Sequence, residues 1–315
     1  MPLDPQLQPI IDLMNAQPAP PTDIPPAEMR ERMNKEMETG FVALGDDPIE
    51  LPKVVDHAVP VAGGAITVRV YTPEGDGPFP AHLYIHGGGF FMGTLDSFDN
   101  VCRSIAAGAG CVVASVDYRL APEYKFPIAP EDCYAALLWL ADHVDELNVD
   151  GARISVGGGS AGGNLAAVIA LMTRDRNGPP LVFQVVEIPV TDMTASFPSI
   201  TENGTGYMLT KDAMEMFGSF YLDDPADATN PYASPYFADD LTGLPPALVV
   251  TAEFDPLRDE GEAYARRLQE AGVPTELVRM DGHFHGSMAF TKVLPSAVEH
   301  RERVNRVLRS AYGAE

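Results

Sequence analysis

Residues 154–170, ISVGGGSAGGNLAAVIA, fit two different functional turns. Read as GxGxxG from Gly157, the stretch matches the glycine fingerprint that binds the pyrophosphate of a dinucleotide. Read as GxSxG around Ser160, it matches a turn that raises a nucleophilic serine above the edge of a sheet. Both turns require a strand before and a helix after, and the apolar residues on either side predict both elements. The choice between the two depends on the rest of the chain.

The composition is that of a globular protein with a substantial core. Of the 315 residues, 45% are hydrophobic and 21% are charged, and no apolar run approaches the length of a membrane span. The net charge of −24 repels phosphate backbones and anionic lipids, so we expect neither nucleic-acid nor membrane-surface binding. The three cysteines, an odd number without a CxxC pair, predict free thiols. The N-terminus lacks the features of a signal peptide, and we therefore expect a cytoplasmic protein.

From about residue 53, the pattern predicts a mostly parallel sheet with helices on both faces. Two alternating segments around Gly63-Gly64 predict a hairpin, and strands rich in Val, Ile and Leu then alternate with helical segments. Such near-continuous apolar strands are typical of a parallel sheet that is buried on both sides. Besides the helix after Ser160, the predicted helices cover residues 96–108, 129–147, 257–271 and 295–311. The predicted fold class is therefore α/β.

Two segments outside this alternation predict a helical cap. Residues 1–50 contain two short helices around a proline-rich link, residues 17–26, and about residues 195–230 form a long insertion between two strands. Within the insertion, Thr210 can cap a helix. Long insertions at one end of such a sheet usually serve as lids or binding regions. We expect residues 51–315 to form the catalytic domain and the two segments to cover it.

Met29, Met33 and Met37 recur every four residues and share one face of the second N-terminal helix. Because methionine is apolar and adaptable, this face could pack onto the body of the protein or line an apolar substrate cleft. Of the two, we expect packing onto the body.

Three further motifs, in a fixed chain order, favour the turn with the nucleophilic serine. HGGG at 86–89 follows a predicted strand, and its glycines let backbone N–H groups approach a developing negative charge. Asp255 and then His285 follow two later strands, which is the order of serine, acid and histidine that accompanies this turn. For dinucleotide binding, Glu187 lies where an acidic ribose ligand belongs. However, several strands precede the glycines, and GxGxxG is a weak signal in a chain with 28 glycines.

Some neighbouring residues compete for these roles. His283 lies two residues before His285, and in an extended segment both side chains face the same side, so spacing alone does not separate them. Asp259 and Glu253 are alternative acids, although the acids of RDEG fit the first turn of a helix. No further ligands at familiar spacing accompany the two histidines, so no metal site is expected. His86 is expected to orient the glycine loop rather than to transfer protons.

Taken together, the motifs resemble those of the hormone-sensitive-lipase-like esterases, bacterial family IV of the α/β-hydrolases. They are HGGGF (86–90), DYRLAPE (117–123), GGSAGGNL (158–165), PVTD (189–192), DPLRDEG (255–261) and HG (285–286). The resemblance covers essentially the whole chain, including the N-terminal helices. It implies an α/β-hydrolase fold and hydrolysis of carboxylic esters, often with short- to medium-chain acyl groups, without a cofactor.

The resemblance also implies roles for individual residues. Ser160 is the implied nucleophile, His285 the base and Asp255 the acid that orients it. The backbone N–H groups implied for the oxyanion hole are those of Gly88, Gly89 and Ala161. The family usually has Asp before the serine, where this chain has Gly159, a position outside the triad. Members often dimerise through the last strand and the C-terminal helix, so a homodimer of that kind is one alternative here.

Two other functions stay open at this stage. The same triad cleaves amides, so an amidase or arylformamidase-type hydrolase also fits the residues. An inactive hydrolase fold that acts as a small-molecule receptor, like the plant gibberellin receptors, is a different class. Those receptors resemble this family but lose the catalytic histidine, whereas His285 is present here. We therefore expect a serine carboxylesterase that acts on a small-molecule ester.

Overall fold

Eight strands form a single sheet within residues 2–16 and 24–314, which are the residues that the computed structural model describes. The strands are β1 (Lys53–Val61), β2 (Gly64–Thr72), β3 (Phe79–Ile85), β4 (Val112–Asp117), β5 (Val149–Gly159), β6 (Phe183–Glu187), β7 (Ala247–Phe254) and β8 (Thr275–Phe284). Their order in the sheet is β1-β2-β4-β3-β5-β6-β7-β8. The hairpin β1–β2 and the pair β2–β4 are antiparallel, and all other pairs are parallel. The predicted hairpin and the mostly parallel sheet are confirmed.

The helices lie between the strands and in two further segments. They are α1 (Gln8–Asn15), α2 (Pro26–Glu36), α3 (Asp99–Ala109), α4 (Ile128–Asp142), α5 (Val144–Leu147), α6 (Ala161–Asp175), α7 (Ser199–Glu202), α8 (Lys211–Tyr221), α9 (Arg258–Glu270) and α10 (Pro295–Ala311). A π-helical turn, Met37–Phe41, continues α2. Most of the predicted proline-rich link, residues 17–23, lies outside the described residues.

Helices cover both faces of the sheet, as the apolar strands predict. On one face, Ile105 of α3 and Leu308 of α10 join Val250 of β7 in an apolar cluster. On the other face, α4, α6 and α9 pack against the alternate residues of the same strands. All residues of the central strand β3 are buried. Because the sheet is covered on both sides, its strands need apolar residues at nearly every position.

One helix differs from its prediction, because residues 129–147 form two helices rather than one. The first ends at Asp142 and the second begins at Val144. Between them, His143 leaves the helical region at φ −113° and ψ 23°. Its ring Nδ1 lies 2.8 Å from the carbonyl oxygen of Trp139, so the side chain takes part in ending the first helix. A hydrophobic pattern does not register such a local bond between a side chain and the backbone.

The N-terminal helices and α8 contact the body near the same end of the sheet. Leu7 and Ile11 pack with Phe284 and Phe290, which follow or end β8. Thr210 caps α8 as predicted, since its Oγ1 accepts a hydrogen bond from the Ala213 N–H at 3.2 Å. The carboxyl ends of β5, β7 and β8 lie at one edge of the sheet, because these strands are parallel.

The cysteines and the helix lengths answer two questions that the composition raised. Cys102, Cys111 and Cys133 are buried free thiols, as their odd number predicts. Burial raises the pKa of Cys102 and of Cys111 to about 12, so both stay protonated at neutral pH. Within residues 2–16 and 24–314, no helix is both long enough and apolar enough to cross a bilayer.

Candidate active site

Ser160 lies at the sharp turn between β5 and α6. Its backbone has φ 59° and ψ −122°, a conformation that residues with a side chain rarely adopt. A Cβ atom on Gly158 would lie 2.1 Å from the carbonyl oxygen of Ile85, and one on Gly162 would lie 2.0 Å from the same atom. The glycines on either side of the serine are therefore required for close packing against β3. This packing holds the strained turn in place.

Ser160, His285 and Asp255 form one hydrogen-bonded chain. His285 Nε2 lies 3.0 Å from Ser160 Oγ, and His285 Nδ1 lies 2.7 Å from Asp255 Oδ2. The other oxygen of the fully buried Asp255 accepts a hydrogen bond from the Leu257 N–H at 2.9 Å. With Nδ1–H donating to the carboxylate, Nε2 presents its lone pair to the serine hydroxyl. The arrangement can move a proton from Ser160 Oγ to His285 Nε2, although the catalytic roles of the three residues stay predictions.

The register between β7 and β8 brings the acid and the histidine together. Phe254 and Phe284, the last residues of the two strands, are partners across the sheet. Asp255 and His285 follow them directly, so the two side chains meet beyond the strand ends. The register shifts between Ala252 and Phe254, at an irregularity of the pairing. Such irregularities commonly redirect side chains near functional sites.

The glycine loop after β3 lies beside the serine. Gly88 has φ 116° and Gly89 has φ 60°, conformations that glycine adopts without strain. A Cβ atom on Gly88 would lie 2.2 Å from the Met92 carbonyl oxygen, and one on Gly89 would lie 2.5 Å from the ring of Phe217. Ala161 begins α6, and the first N–H groups of a helix have no acceptor within it. These positions are suited to an oxyanion hole, and that role stays a prediction.

His86 supports the loop from within the core. Its Nδ1 lies 2.8 Å from the Gly87 carbonyl oxygen, and its ring stacks on Tyr118 at 4.4 Å between centroids. The Tyr118 hydroxyl in turn donates to the His86 carbonyl oxygen at 3.1 Å. Burial lowers the pKa of His86 to about 4, so the ring is neutral and donates Nδ1–H to the loop. These contacts fit an orienting role better than proton transfer.

The alternative histidine and acids lie in other contacts. His283 is buried between Ser287 Oγ and Ser296 Oγ, each 2.8 Å from one of its ring nitrogens. Because β8 ends at Phe284, the extended geometry that would align the two histidines stops before His285. Asp259 and Glu253 are also held elsewhere. Asp259 pairs with Arg258 and accepts from the Ser199 N–H at 3.0 Å, whereas Glu253 accepts from the Gly282 N–H at 2.7 Å.

The structure also shows supporting residues that the sequence did not reveal. Asn203, the residue after α7, donates a hydrogen bond from Nδ2 to the Asp255 carbonyl oxygen at 3.2 Å. This bond holds the backbone of Asp255 in place. Glu260 Oε1 accepts from the N–H groups of Thr191 and Asp192 at 2.6 and 3.2 Å. Burial raises the pKa of Glu260 well above its ordinary value. No local pattern in the sequence marks these contacts, because each joins segments more than 50 residues apart.

A large cavity opens beside Ser160 and His285. Its volume is about 870 Å³, within the range of small-molecule sites. Met33 and Met37 line it, as do Met214 and Phe217 of α8. The expectation that the N-terminal methionines pack onto the body was therefore wrong for Met33 and Met37, because both line the cavity that was the alternative. Their shared face does not distinguish a protein surface from a cavity.

The described residues hold no group of three or more His, Cys, Asp or Glu side chains arranged to bind a metal ion. Glu187, the candidate ribose ligand, has its Oε1 2.5 Å from His300 Nε2 instead. One oxygen of this candidate ribose ligand is therefore engaged within the protein.

Comparisons with known proteins identify the family of this chain. A family described by the alpha/beta hydrolase fold matches residues 82–289. The chain belongs to this family. This α/β-hydrolase is 43% identical over 256 residues to esterase LipI of Mycobacterium tuberculosis, which covers 80% of each chain. It is 44% identical over 253 residues to carboxylesterase NlhH of the same species, with 79% of each chain covered.

The solved structures include a hyperthermophilic esterase from the archaeon Pyrobaculum calidifontis. The α/β-hydrolase described here superposes on it with a TM-score of 0.93 and 45% sequence identity. The match covers 98% of this chain and 99% of the other. The predicted hydrolase fold and the resemblance to hormone-sensitive-lipase-like esterases are confirmed.

Proposed function

We propose that this carboxylic ester hydrolase cleaves short- to medium-chain acyl esters through a triad of Ser160, His285 and Asp255 and an acyl-enzyme intermediate. The observation that carries the proposal is the chain of two hydrogen bonds, 3.0 Å from Ser160 Oγ to His285 Nε2 and 2.7 Å from His285 Nδ1 to Asp255 Oδ2. Ser160 and His285, which form the first of these bonds, line the cavity of about 870 Å³. Similarity to proteins named esterase and carboxylesterase supports the same reaction class.

In the first half of the reaction, Ser160 Oγ attacks the ester carbonyl carbon while His285 Nε2 takes its proton. Asp255 holds the imidazole in the tautomer that accepts this proton and stabilises the resulting positive charge. The carbonyl oxygen becomes negatively charged, and the N–H groups of Gly88, Gly89 and Ala161 stabilise it. Each such donor typically contributes on the order of 3 kcal/mol to the transition state. Collapse of the intermediate breaks the bond to the alcohol oxygen, which leaves with the proton from His285.

In the second half, water replaces the alcohol. His285 takes a proton from the water molecule, whose oxygen attacks the acyl carbon of the Ser160 ester. The tetrahedral intermediate then collapses, the proton returns to Ser160 Oγ, and the carboxylic acid departs. The same backbone N–H donors stabilise the negatively charged oxygen in both halves. The side chains and backbone of the protein itself therefore suffice for the proposed steps.

The residues around the cavity support the proposed acyl-chain range. We propose that residues 1–50 and about 195–230 act as a cap over residues 51–315, with Met37 and Phe217 on its inner surface. We expect the Phe217 ring to limit the space for the acyl group and so to favour acyl chains of a few carbons over a palmitoyl chain. Phe217→Ala should enlarge the cavity and move the optimum to longer acyl chains.

The experiment is hydrolysis of p-nitrophenyl esters from acetate to palmitate by the wild type and Ser160→Ala. We expect the highest kcat/KM among the short and medium chains and loss of turnover in the variant. Labelling of the wild type, but not of the variant, by a fluorophosphonate probe identifies the reactive serine. Faster turnover of palmitate than of butyrate contradicts the proposed chain range. A folded wild type that neither turns over these esters nor reacts with the probe contradicts the proposed activity.

The edge strand β8 and α10 support a second, separable proposal, a homodimer. In the sheet, β8 pairs with β7 on one side, and α10 follows it along the chain. A second copy that pairs with the outer edge of β8 extends the sheet from one copy into the other. Light scattering after size-exclusion chromatography should give twice the chain mass of 33.9 kDa. A mass equal to one chain removes this proposal and leaves the catalytic one untouched.

A further inference from the structure

Gly159 leaves open space beside a carboxylate near Ser160. Gly159 and Glu187 are partners in the register of β5 and β6, so their Cα–Cβ directions point to the same face of the sheet. A Cβ atom on Gly159 would meet nothing closer than the Glu187 backbone oxygen at 3.9 Å. The glycine has an ordinary backbone conformation, so the turn itself does not require glycine there. Because Gly159 has no side chain, the side of Glu187 that faces β5 is not covered by residue 159.

The position of Glu187 is fixed by contacts on both of its sides. Its backbone oxygen accepts a hydrogen bond from the Ser160 N–H at 2.9 Å. Its carboxylate Oε1 lies 2.5 Å from Nε2 of His300, a buried residue of α10. Adjacent strands lie about 4.8 Å apart, so this carboxylate stands one strand away from the residue that precedes Ser160. Ser160 and Glu187 line the same cavity, so a substituent on an ester bound at Ser160 can approach the carboxylate.

The carboxylate faces the cavity rather than bulk water. Glu187 ends β6, which lies between β5 and β7, and α10 packs over this face. Its side chain is still 16% exposed, and both Glu187 and His300 line the cavity that contains Ser160. Within the described residues, Oε1 bonds to His300 and Oε2 makes no hydrogen bond. The surrounding wall is apolar, with Ile105 and Val304 among its residues.

We infer that Glu187 forms a polar subsite that accepts a hydrogen bond from a hydroxyl group on the ester substrate. The inference rests on the proposed ester hydrolysis and adds a substrate class to it, hydroxylated esters. In an apolar wall, a substituent with a hydroxyl group can donate a hydrogen bond to the carboxylate, whereas a methyl group at the same place leaves the carboxylate without that bond. The hydroxyl group should therefore bind more strongly than the methyl group. The contact of His300 with Oε1 holds the carboxylate in place before a substrate binds.

The test uses two pairs of esters that differ by hydroxyl against methyl. Ethyl 3-hydroxybutyrate, as each enantiomer, is compared with ethyl 3-methylbutyrate for the acyl half. For the alcohol half, 2-hydroxyethyl butyrate is compared with propyl butyrate. Hydrolysis is followed by pH-stat, and the measured quantity is the ratio of kcat/KM for hydroxyl over methyl within each pair. The pair that responds identifies which half of the ester lies against Glu187.

The wild type is compared with Glu187→Leu and Glu187→Gln. Leucine removes the acceptor at similar size, and we expect the hydroxyl-to-methyl ratio to fall about tenfold in at least one pair. Glutamine keeps a neutral acceptor oxygen, so its ratio should fall less. Active enzyme is counted by titration with a fluorophosphonate probe. A purely structural role of Glu187 lowers kcat/KM for both members of a pair and leaves the ratio unchanged, which overturns the inference.

A second variant keeps the test decisive if Glu187→Leu does not fold. Gly159→Val covers Glu187 while leaving the carboxylate and its bond to His300 in place. The ratio should again fall, and an unchanged ratio in both pairs overturns the inference. If the wild type hydrolyses the methyl esters but no ratio responds, the proposed function stands and the subsite fails. If the folded wild type hydrolyses none of these esters and takes no probe, both fail together.

Discussion

Two serine–histidine contacts involve β5 and the turn that follows it, and Ser160 and His285 of the second contact line the cavity. Five residues before Ser160, Ser155 Oγ lies 2.8 Å from His82 Nδ1 and 2.5 Å from the Tyr312 hydroxyl. The distance of 2.8 Å between Ser155 and His82 is close to the 3.0 Å between Ser160 and His285. The two pairs therefore do not differ in the contact between serine and histidine.

They differ in surroundings. Ser155 and His82 are buried within the sheet and its covering helices, and burial lowers the pKa of His82 to about 3. A hydroxyl group, Tyr312, completes that cluster, whereas the carboxylate of Asp255 completes the other. A serine–histidine contact becomes a reactive site only with an acid behind it, backbone donors beside it and space in front of it.

Removing each serine tests this comparison most directly. Ser160→Ala should lower kcat for p-nitrophenyl butyrate about 10⁶-fold, because the nucleophile is lost. Ser155→Ala should leave kcat within a few-fold of wild type but cost about 1–3 kcal/mol of unfolding free energy, since His82 and Tyr312 lose a buried partner. Steady-state kinetics and urea unfolding measure the two effects. Comparable activity losses in the two variants would contradict the distinction between the pairs.

The acid behind the histidine should have the next largest effect. Asp255→Asn keeps the shape of the side chain but removes the charge that orients His285, so kcat should fall about 10⁴-fold. The matched control is Asp259→Asn, which loses an ion pair with Arg258 and should change kcat little. The same ester assay applies to both. An equal loss of kcat in the two variants would remove Asp255 from its proposed role.

The backbone donors can be disturbed without touching the triad. A Cβ atom on Gly89 would lie 2.5 Å from the Phe217 ring, and its φ of 60° disfavours any side chain. We expect Gly89→Ala to lower kcat about 100-fold, as loss of one oxyanion donor does. Adding Phe217→Ala relieves the ring clash. If the double variant recovers full kcat, the loss came from the clash, and the backbone N–H of Gly89 is not a donor.

The buried histidines, including His82 of the Ser155 pair, should affect the pH dependence of stability rather than the activity. His82, His86 and His283 have pKa values lowered by burial to about 3, 4 and 4, below their ordinary 6.5. Between these values, the unfolded chain binds more protons than the folded one, so the unfolding free energy falls as pH drops from about 6.5 toward 4.

Replacing one histidine isolates its share of this slope. His82→Gln should reduce the slope by up to about 1.4 kcal/mol per pH unit, the effect of one proton. Urea unfolding at several pH values between 4.5 and 7 measures the slope for both proteins. Equal slopes in the wild type and the variant would mean that His82 is not held neutral by burial.

The sequence by itself determined the parallel sheet, the chain order of the motifs and the position of the serine turn. Strand and helix patterns are local, because side chains alternate along a strand and recur every turn along a helix. The glycines around Ser160 and at 86–89 are readable for the same reason, since each satisfies a close contact or a backbone conformation at its own position. Where a side chain ended a helix early, at His143, the apolar pattern missed it.

Only the tertiary structure shows that His285, and not His283, contacts both Ser160 and Asp255. The choice depends on the pairing of Phe254 with Phe284 and on the end of β8, and spacing along the chain contains neither. The position of Met33 and Met37 over the cavity, and of Glu187 beside Gly159, depends likewise on contacts between distant segments. Such contacts depend on how the strands and helices pack. The residues that line the cavity can therefore be identified only from the tertiary structure.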